Sequence, residues 1–229
     1  MSEQGAPLLV GHGLCKSFGL TPALRGAGLA VTAGEVLAVM GPSGSGKSTL
    51  LHCLAGILTP DAGEVLFDGR RVDLMADRER SRLRRGEFGF VFQFGQLVPE
   101  LPVLENIAFP LLLGGQRRRA ALAAAESWLP RLGLVEVAHR LPGEISGGQG
   151  QRVAVARALI AGPRVVFADE PTGSLDSVAA DQVMELLVAT AKSERVSVVL
   201  VTHEPRVAAY ADRQVTVRDG QTMLPAVLA

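Results

Sequence analysis

The chain has 229 residues, 48% of them hydrophobic, with 23 basic and 23 acidic side chains. That length suits one large domain, or one domain with a subdomain inserted. A formal charge of zero removes any global field that would draw the chain to nucleic acid or an anionic membrane surface, and leaves only local patches for such a role. Cys15 and Cys53 are isolated, without metal-ligand or disulfide spacing, and suit buried packing in a reducing cytosol. Met1 to Pro7 is short and polar, unlike a signal peptide. Val103 to Leu113, the best apolar stretch, is broken by Glu105, Asn106 and Pro110, so a membrane role would come through a partner. The mean hydropathy of +0.26 points the same way. Lysine occurs only at Lys16, Lys47 and Lys192, which fits a bias toward GC-rich codons and makes Lys47 conspicuous.

Residues 1–7 read as a flexible N-terminus, and the single domain spans residues 8–229. Leu8–Cys15 and Leu24–Val31 read as short strands of an opening β-layer. Glu35–Met40 is an apolar strand that runs into Gly41, and a helix is predicted from about Gly46 to Leu58, ending before the turn Thr59-Pro60-Asp61. Glu64–Asp68 is a strand, Ala76–Arg85 a charged helix and Phe88–Gln93 a strand. From about Phe94 to Gly162 the composition turns helical, with Arg117–Leu132 the clearest case. Pro99, Pro102, Pro110 and Gly114-Gly115 keep Phe94–Leu113 loop-like. After Ser146 a helix carries Gln151–Ile160, Arg164–Ala168 is a fully apolar strand, Asp181–Ser193 a helix and Val196–Val201 a strand. Ala208–Asp219 ends the fold. Alternating strands and helices imply a parallel sheet covered on its faces, with a helical insertion at about 94–162.

Gly41-Pro42-Ser43-Gly44-Ser45-Gly46-Lys47-Ser48-Thr49 satisfies the phosphate-loop pattern between a strand and a helix. Its glycines let backbone N–H groups curl toward a phosphate, and the helix N-terminus adds positive potential. Lys47 would reach the β- and γ-phosphates of ATP, and the Ser48 hydroxyl would bind Mg²⁺. The strand at Val165–Ala168 delivers two carboxylates, Asp169 and Glu170, at its C-terminal edge, where ligands bind over parallel sheets. Asp169 would hold Mg²⁺ through a water, and Glu170 would orient and deprotonate the attacking water.

With these elements, and with Ser146-Gly147-Gly148-Gln149 before a helix, the chain resembles the ATP-binding cassette family over nearly its whole length. The resemblance implies an α/β fold: a P-loop NTPase with a RecA-like parallel sheet core, an N-terminal antiparallel β-layer and an inserted α-helical subdomain. It implies that Ser146, Gly147, Gly148 and Gln149 form a signature that faces the γ-phosphate held by a second copy of the chain. Gln93 lies where the family keeps a glutamine that contacts Mg²⁺ and senses a permease. Asp176, in Ser174-Leu175-Asp176, lies in the loop that crosses the dimer interface, and His203 matches a histidine that contacts the γ-phosphate. Phe18 stands where the family usually stacks a tyrosine on adenine, which needs only a π-face. His12, His52 and His139 have no such placement.

Ala168–Gly173, Phe88–Gln93, Asp77–Arg85 and Leu104-Glu105-Asn106 resemble the branch that serves macrolide exporters, lipoprotein-release machines and FtsX-type permeases. Gly95, where that branch often has an aromatic, and Gly150, where a polar residue is common, depart from it. The resemblance implies an ATPase with two composite sites, at the cytoplasmic face of the membrane, driving an integral membrane permease, with no nucleic acid. Two other readings share the fold: a signalling module that gates a membrane protein without moving substrate, and a soluble DNA-repair or translation ATPase. The latter kind usually carries long insertions or tandem cassettes, which are lacking here. The apolar side chains of Phe94–Leu113, Leu97 and Leu101 among them, either pack the insertion or line a groove for a permease helix.

Overall fold

A computed structural model describes residues 6–223, so most of the flexible N-terminus expected at 1–7 lies outside the described residues. The chain forms two compact units, one up to Arg84 and again from Ser197 onward, the other Arg85–Val196.

In the first unit, β1 (Leu9–Phe18) and β2 (Thr21–Val31) form a long antiparallel hairpin. β3 (Val36–Met40) follows, then α1 (Lys47–Leu54), then β4 (Ala62–Phe67) and β5 (Arg70–Arg71). β1, β2, β4 and β5 make an antiparallel sheet in the order β2-β1-β4-β5. Residues Val36–Val39 are all buried to 1% or less, as a strand covered on both faces requires. α2 (Asp77–Glu87) leads out of this unit.

The second unit begins with β6 (Phe88–Phe92), followed by α3 (Val103–Leu113), α4 (Arg118–Leu132) and α5 (Gly147–Leu159). β7 (Val165–Asp169) pairs parallel with β6, and α6 (Ser177–Glu194) closes the unit. The chain then returns to the first unit through β8 (Ser197–Val201), α7 (Pro205–Ala208), β9 (Arg213–Arg218) and β10 (Gln221–Met223). There the strands run β10-β9-β3-β8, with β3 parallel to both β8 and β9. The antiparallel layer is tied to the last hairpin by Arg25 N–H donating to Gly220 O at 2.8 Å and Gly28 N–H donating to Thr222 Oγ1 at 2.9 Å.

One sequence expectation fails. Phe94–Leu113 is loop-like only as far as Pro102; Val103–Leu113 is a helix with Pro110 inside it. Val103, Leu104, Ile107 and Ala108 are buried, a helical face that outweighs the single hydrogen bond denied by proline. Of the two cysteines, Cys53 is buried, and burial pushes its thiol up to about 11, whereas Cys15 is only half-buried.

Candidate functional site

β3 ends at Met40 and the chain turns through Gly41, Gly44 and Gly46, all at positive φ (147°, 76° and 104°). Sterics make two of these glycines obligatory. A Cβ at Gly41 would lie 2.1 Å from Val217 O, and one at Gly46 would lie 2.4 Å from Ala23 O. α1 then starts at Lys47, with Gly46 as its N-cap and no side-chain cap, so its first N–H groups stay available to an anion. Lys47 is 7% exposed. Its ammonium donates to Gly41 O at 2.8 Å and Pro42 O at 2.9 Å, and among the described residues it has no carboxylate partner. A buried lysine without a counter-anion is rare, and this one is set inside a ring of backbone donors. Ser45 Oγ is likewise buried without a hydrogen-bond partner, an orphaned group expected of a cradle built for an anion.

The end of β8 adjoins this loop, because Thr202 N–H donates to Val39 O at 3.1 Å. His203 is the next residue and is exposed. Phe18, 53% exposed at the end of β1, offers a free aromatic face. The first unit thus gathers Gly41 to Thr49 and His203 around the end of β3.

The second unit assembles the rest. Phe92 and Asp169 are register partners at the ends of β6 and β7, which brings Gln93 beside Asp169 and Glu170. Glu170 adopts left-handed backbone (φ 47°), at a cost of about 1 kcal/mol for a non-glycine residue. It thereby turns the chain sharply into a bend closed by Gly173 N–H donating to Glu170 O at 3.1 Å. Gly173 makes room for Gln93: a Cβ there would lie 2.9 Å from Gln93 Nε2. Ser174 Oγ donates to Gln93 O at 3.1 Å.

Ser146 is the N-cap of α5. Its Oγ accepts from Gln149 N at 3.3 Å, and Gln149 Oε1 accepts from Ser146 N–H at 2.9 Å, a reciprocal capping box. The cap starts α5 at Gly147, directly after Ser146, where the sequence places the helix start. Ser146 and Gly147 remain exposed. Asp176 caps α6 in the same way, its carboxylate accepting from Val178 N–H at 3.0 Å and Ala179 N–H at 2.9 Å. The caps pack together: a Cβ at Gly148 would lie 3.3 Å from Ala179 Cβ.

The candidate magnesium ligands are a hydroxyl (Ser48), an amide (Gln93) and a carboxylate (Asp169), hard oxygen donors of the kind Mg²⁺ takes beside phosphate oxygens and water.

Sequence reasoning missed the residues that hold Gln93's loop in place. Gln151, 2% exposed, donates through Nε2 to Phe92 O at 2.9 Å. Arg157 donates to Gln96 O at 2.9 Å and Gly95 O at 2.6 Å. Their signal was present: Gln151 and Arg157 stand, with Arg152, as long polar side chains in the run of small and apolar residues that ends α5. A groove of about 300 Å³ runs between this loop and the start of α5, lined by Phe94, Leu97, Ile145, Ser146 and Gly150 among others. Leu97 lines it, whereas the Leu101 carbonyl is held by Asn106 Nδ2 at 2.7 Å and Leu101 does not line it.

A family model described as ABC transporter matches residues 24–173. The chain is 43% identical over 225 residues to a protein of Caulobacter vibrioides named lipoprotein-releasing system ATP-binding protein LolD 2, covering 96% of this chain and 99% of that one. It is 42% identical over 224 residues to the LolD of Xanthomonas campestris pv. campestris, covering 96% and 94%. Among solved structures it superposes with a TM-score of 0.87 and 35% identity on a dimeric ATP-binding cassette in a post-hydrolysis state bound to ADP and Pi, covering 94% of this chain and 97% of that one.

Proposed function

Given that the chain belongs to the ABC transporter family and is an ATPase of it, we propose that it works as a dimer with two composite sites, residues 8–229 forming one cassette with its helical insertion at about 94–162, and that it drives a separate membrane permease of the lipoprotein-releasing kind. The observation that carries the nucleotide chemistry is Lys47, buried in the phosphate loop with, among the described residues, only Gly41 and Pro42 carbonyls as hydrogen-bond partners. Those two acceptors are neutral carbonyls, which hold an ammonium less strongly than anionic phosphate oxygens do, so the ammonium exchanges them for the β- and γ-phosphate oxygens of ATP.

The remaining roles follow from residue chemistry. Backbone N–H groups from Gly41 to Thr49 cradle the phosphates, and Phe18 stacks on the base. Ser48, Gln93 and Asp169 would hold Mg²⁺, which would neutralise charge on the phosphate oxygens. Glu170 accepts a proton from water as the water oxygen attacks the γ-phosphorus and the bond to ADP breaks; His203 steadies the γ-phosphate. Ser146, Gly147, Gly148 and Gln149 of one copy face the γ-phosphate held by the other, with Asp176 in the loop that crosses between copies. The exposure of Ser146 and Gly147 at a helix start supports this reading, as does the dimeric state of the similar solved cassette. The lipoprotein-releasing names of relatives sharing 43% and 42% of residues support the permease class, and a permease partner would hold the chain at the cytoplasmic face of the membrane. The groove beside Leu97 is the surface for a permease helix.

Glu170→Gln tests the reading. Turnover should fall at least about a hundredfold, the scale of losing a general base, while ATP still binds and the chain accumulates as an ATP-bound dimer by light scattering. Turnover near the unmodified rate, or a chain that stays monomeric with ATP, would overturn it.

A further inference from the structure

The chain around Gln93 is held by its backbone, and among the described residues the side-chain hydrogen bonds to it from α5 come from one row of that helix. Gln151, Ala154 and Arg157 recur at three-residue intervals, a slanted row about 9 Å long. Gln151 takes Phe92 O on one side of Gln93. Arg157 takes Gly95 O and Gln96 O on the other. The small Ala154 between them lets the loop approach: its Cβ lies 3.6 Å from where a Cβ on Gly95 would be. Gly95 and Gln96 are both left-handed (φ 65° and 45°), which turns two successive carbonyls onto one guanidinium.

Arg157 makes no ion pair among the described residues, and burial pushes its guanidinium below its ordinary value. A desolvated arginine spent on two neutral carbonyls is an expensive way to pin a surface loop, and packing alone does not call for it. The same helix starts at the capping box of Ser146 and Gln149, so the clamp and the signature stand on one rigid rod. Gln151 and Gln96 also line the groove.

We propose that Arg157 and Gln151 are positioning residues that lock the Gln93 loop to the signature helix, so that a partner seated in the groove shifts the loop and Ser146 together. The proposal rests on the permease reading for its physiological partner, but the mechanical link is a property of this chain. It supplies what a claim of coupling between sites needs, a continuous set of contacts with a named weak point.

Two measurements separate the link from the permease reading. With the purified complex of chain and permease, Arg157→Met should lower permease-stimulated kcat on the order of tenfold, within the usual range of inter-site coupling. KM for ATP should change less than about twofold, and Arg157→Lys, which keeps one donor, should recover part of the loss. An equal loss of stimulated and unstimulated turnover, or no loss in either, would overturn the proposal. With the isolated chain, amide exchange is followed in peptides covering 93–98 and 146–153. ATP should slow both in the unmodified chain, but only the second in Arg157→Met. If the loop still responds to ATP in the variant as it does in the unmodified chain, the link is refuted whatever the permease does. If the unmodified complex shows no stimulation but the exchange result holds, the permease reading fails and the link stands.

Discussion

The phosphate loop and the Gln93 loop are both glycine-containing turns at the ends of parallel strands, yet they are held in opposite ways. Around Gly41 and Gly46 the backbone itself is crowded: carbonyls of Val217 and Ala23 occupy the space a side chain would need. Around Gly95 there is room, the nearest atom to a Cβ being Gln151 Oε1 at 3.4 Å, and the loop is held instead by donors from Gln151 and Arg157. A cradle for a phosphate group must keep one shape, and steric crowding cannot be released by a rotamer change. The role proposed for the Gln93 loop, reporting on a neighbour, requires movement, and hydrogen bonds from long side chains permit that. The first kind of restraint leaves its mark on residue identity, the second mostly does not.

Paired substitutions sharpen the contrast. Gly41→Ala adds a methyl group against backbone at a φ of 147° and should cost more than about 4 kcal/mol, the range reserved for severe core or backbone damage. Gly95→Ala meets only left-handed strain, about 1–2 kcal/mol. Urea unfolding of both measures the gap. If Gly41→Ala loses no more stability than Gly95→Ala, steric crowding is not what shapes the phosphate loop.

This difference also explains what could be read in advance. The phosphate loop, the carboxylates after β7 and the serine before α5 are contiguous patterns whose residue types are dictated locally. The Arg157 clamp escaped notice because its partners are carbonyls, which every residue carries. α3 escaped for a related reason. Its N-cap is Pro102, with no side-chain cap. Its first N–H groups are satisfied instead by distant backbone, Val103 donating to Arg140 O and Leu104 to Ala138 O, both at 2.9 Å. With no capping residue and a proline inside, the helix lacked both signals that mark a start and an interior.

Asn106 makes the second unit's reliance on side chains measurable. It is fully buried, accepts from Val98 N–H at 2.8 Å and donates to Val98 O at 3.0 Å and Leu101 O at 2.7 Å. Asn106→Ala strands those groups and should cost about 2–3 kcal/mol, the price of leaving buried polar atoms unpaired. It should also speed amide exchange at Val98. Stability within about 0.5 kcal/mol of the unmodified chain would mean that the segment before α3 holds itself without the asparagine.

Gly150 is the position where the two kinds of restraint predict opposite signs. It lies inside α5 and not among the residues with positive φ, so nothing in the backbone requires glycine. A Cβ there would meet Ile145 Cδ1 and Leu97 Cδ1 at 3.9 Å, ordinary contact rather than a clash. If glycine were present for steric reasons, as at Gly41, alanine would destabilise. If it only hollows the groove, Gly150→Ala should stabilise the chain by about 0.5–1 kcal/mol through helix propensity, raising Tm by about 1–4 °C for a chain of this size. The same methyl group narrows the groove between Leu97 and Ile145, so the stabilised variant should bind its permease less tightly while hydrolysing ATP as before. A gain in Tm with unweakened assembly would place the permease contact elsewhere on the second unit, and a loss in Tm would show that α5 needs its glycine for its own packing.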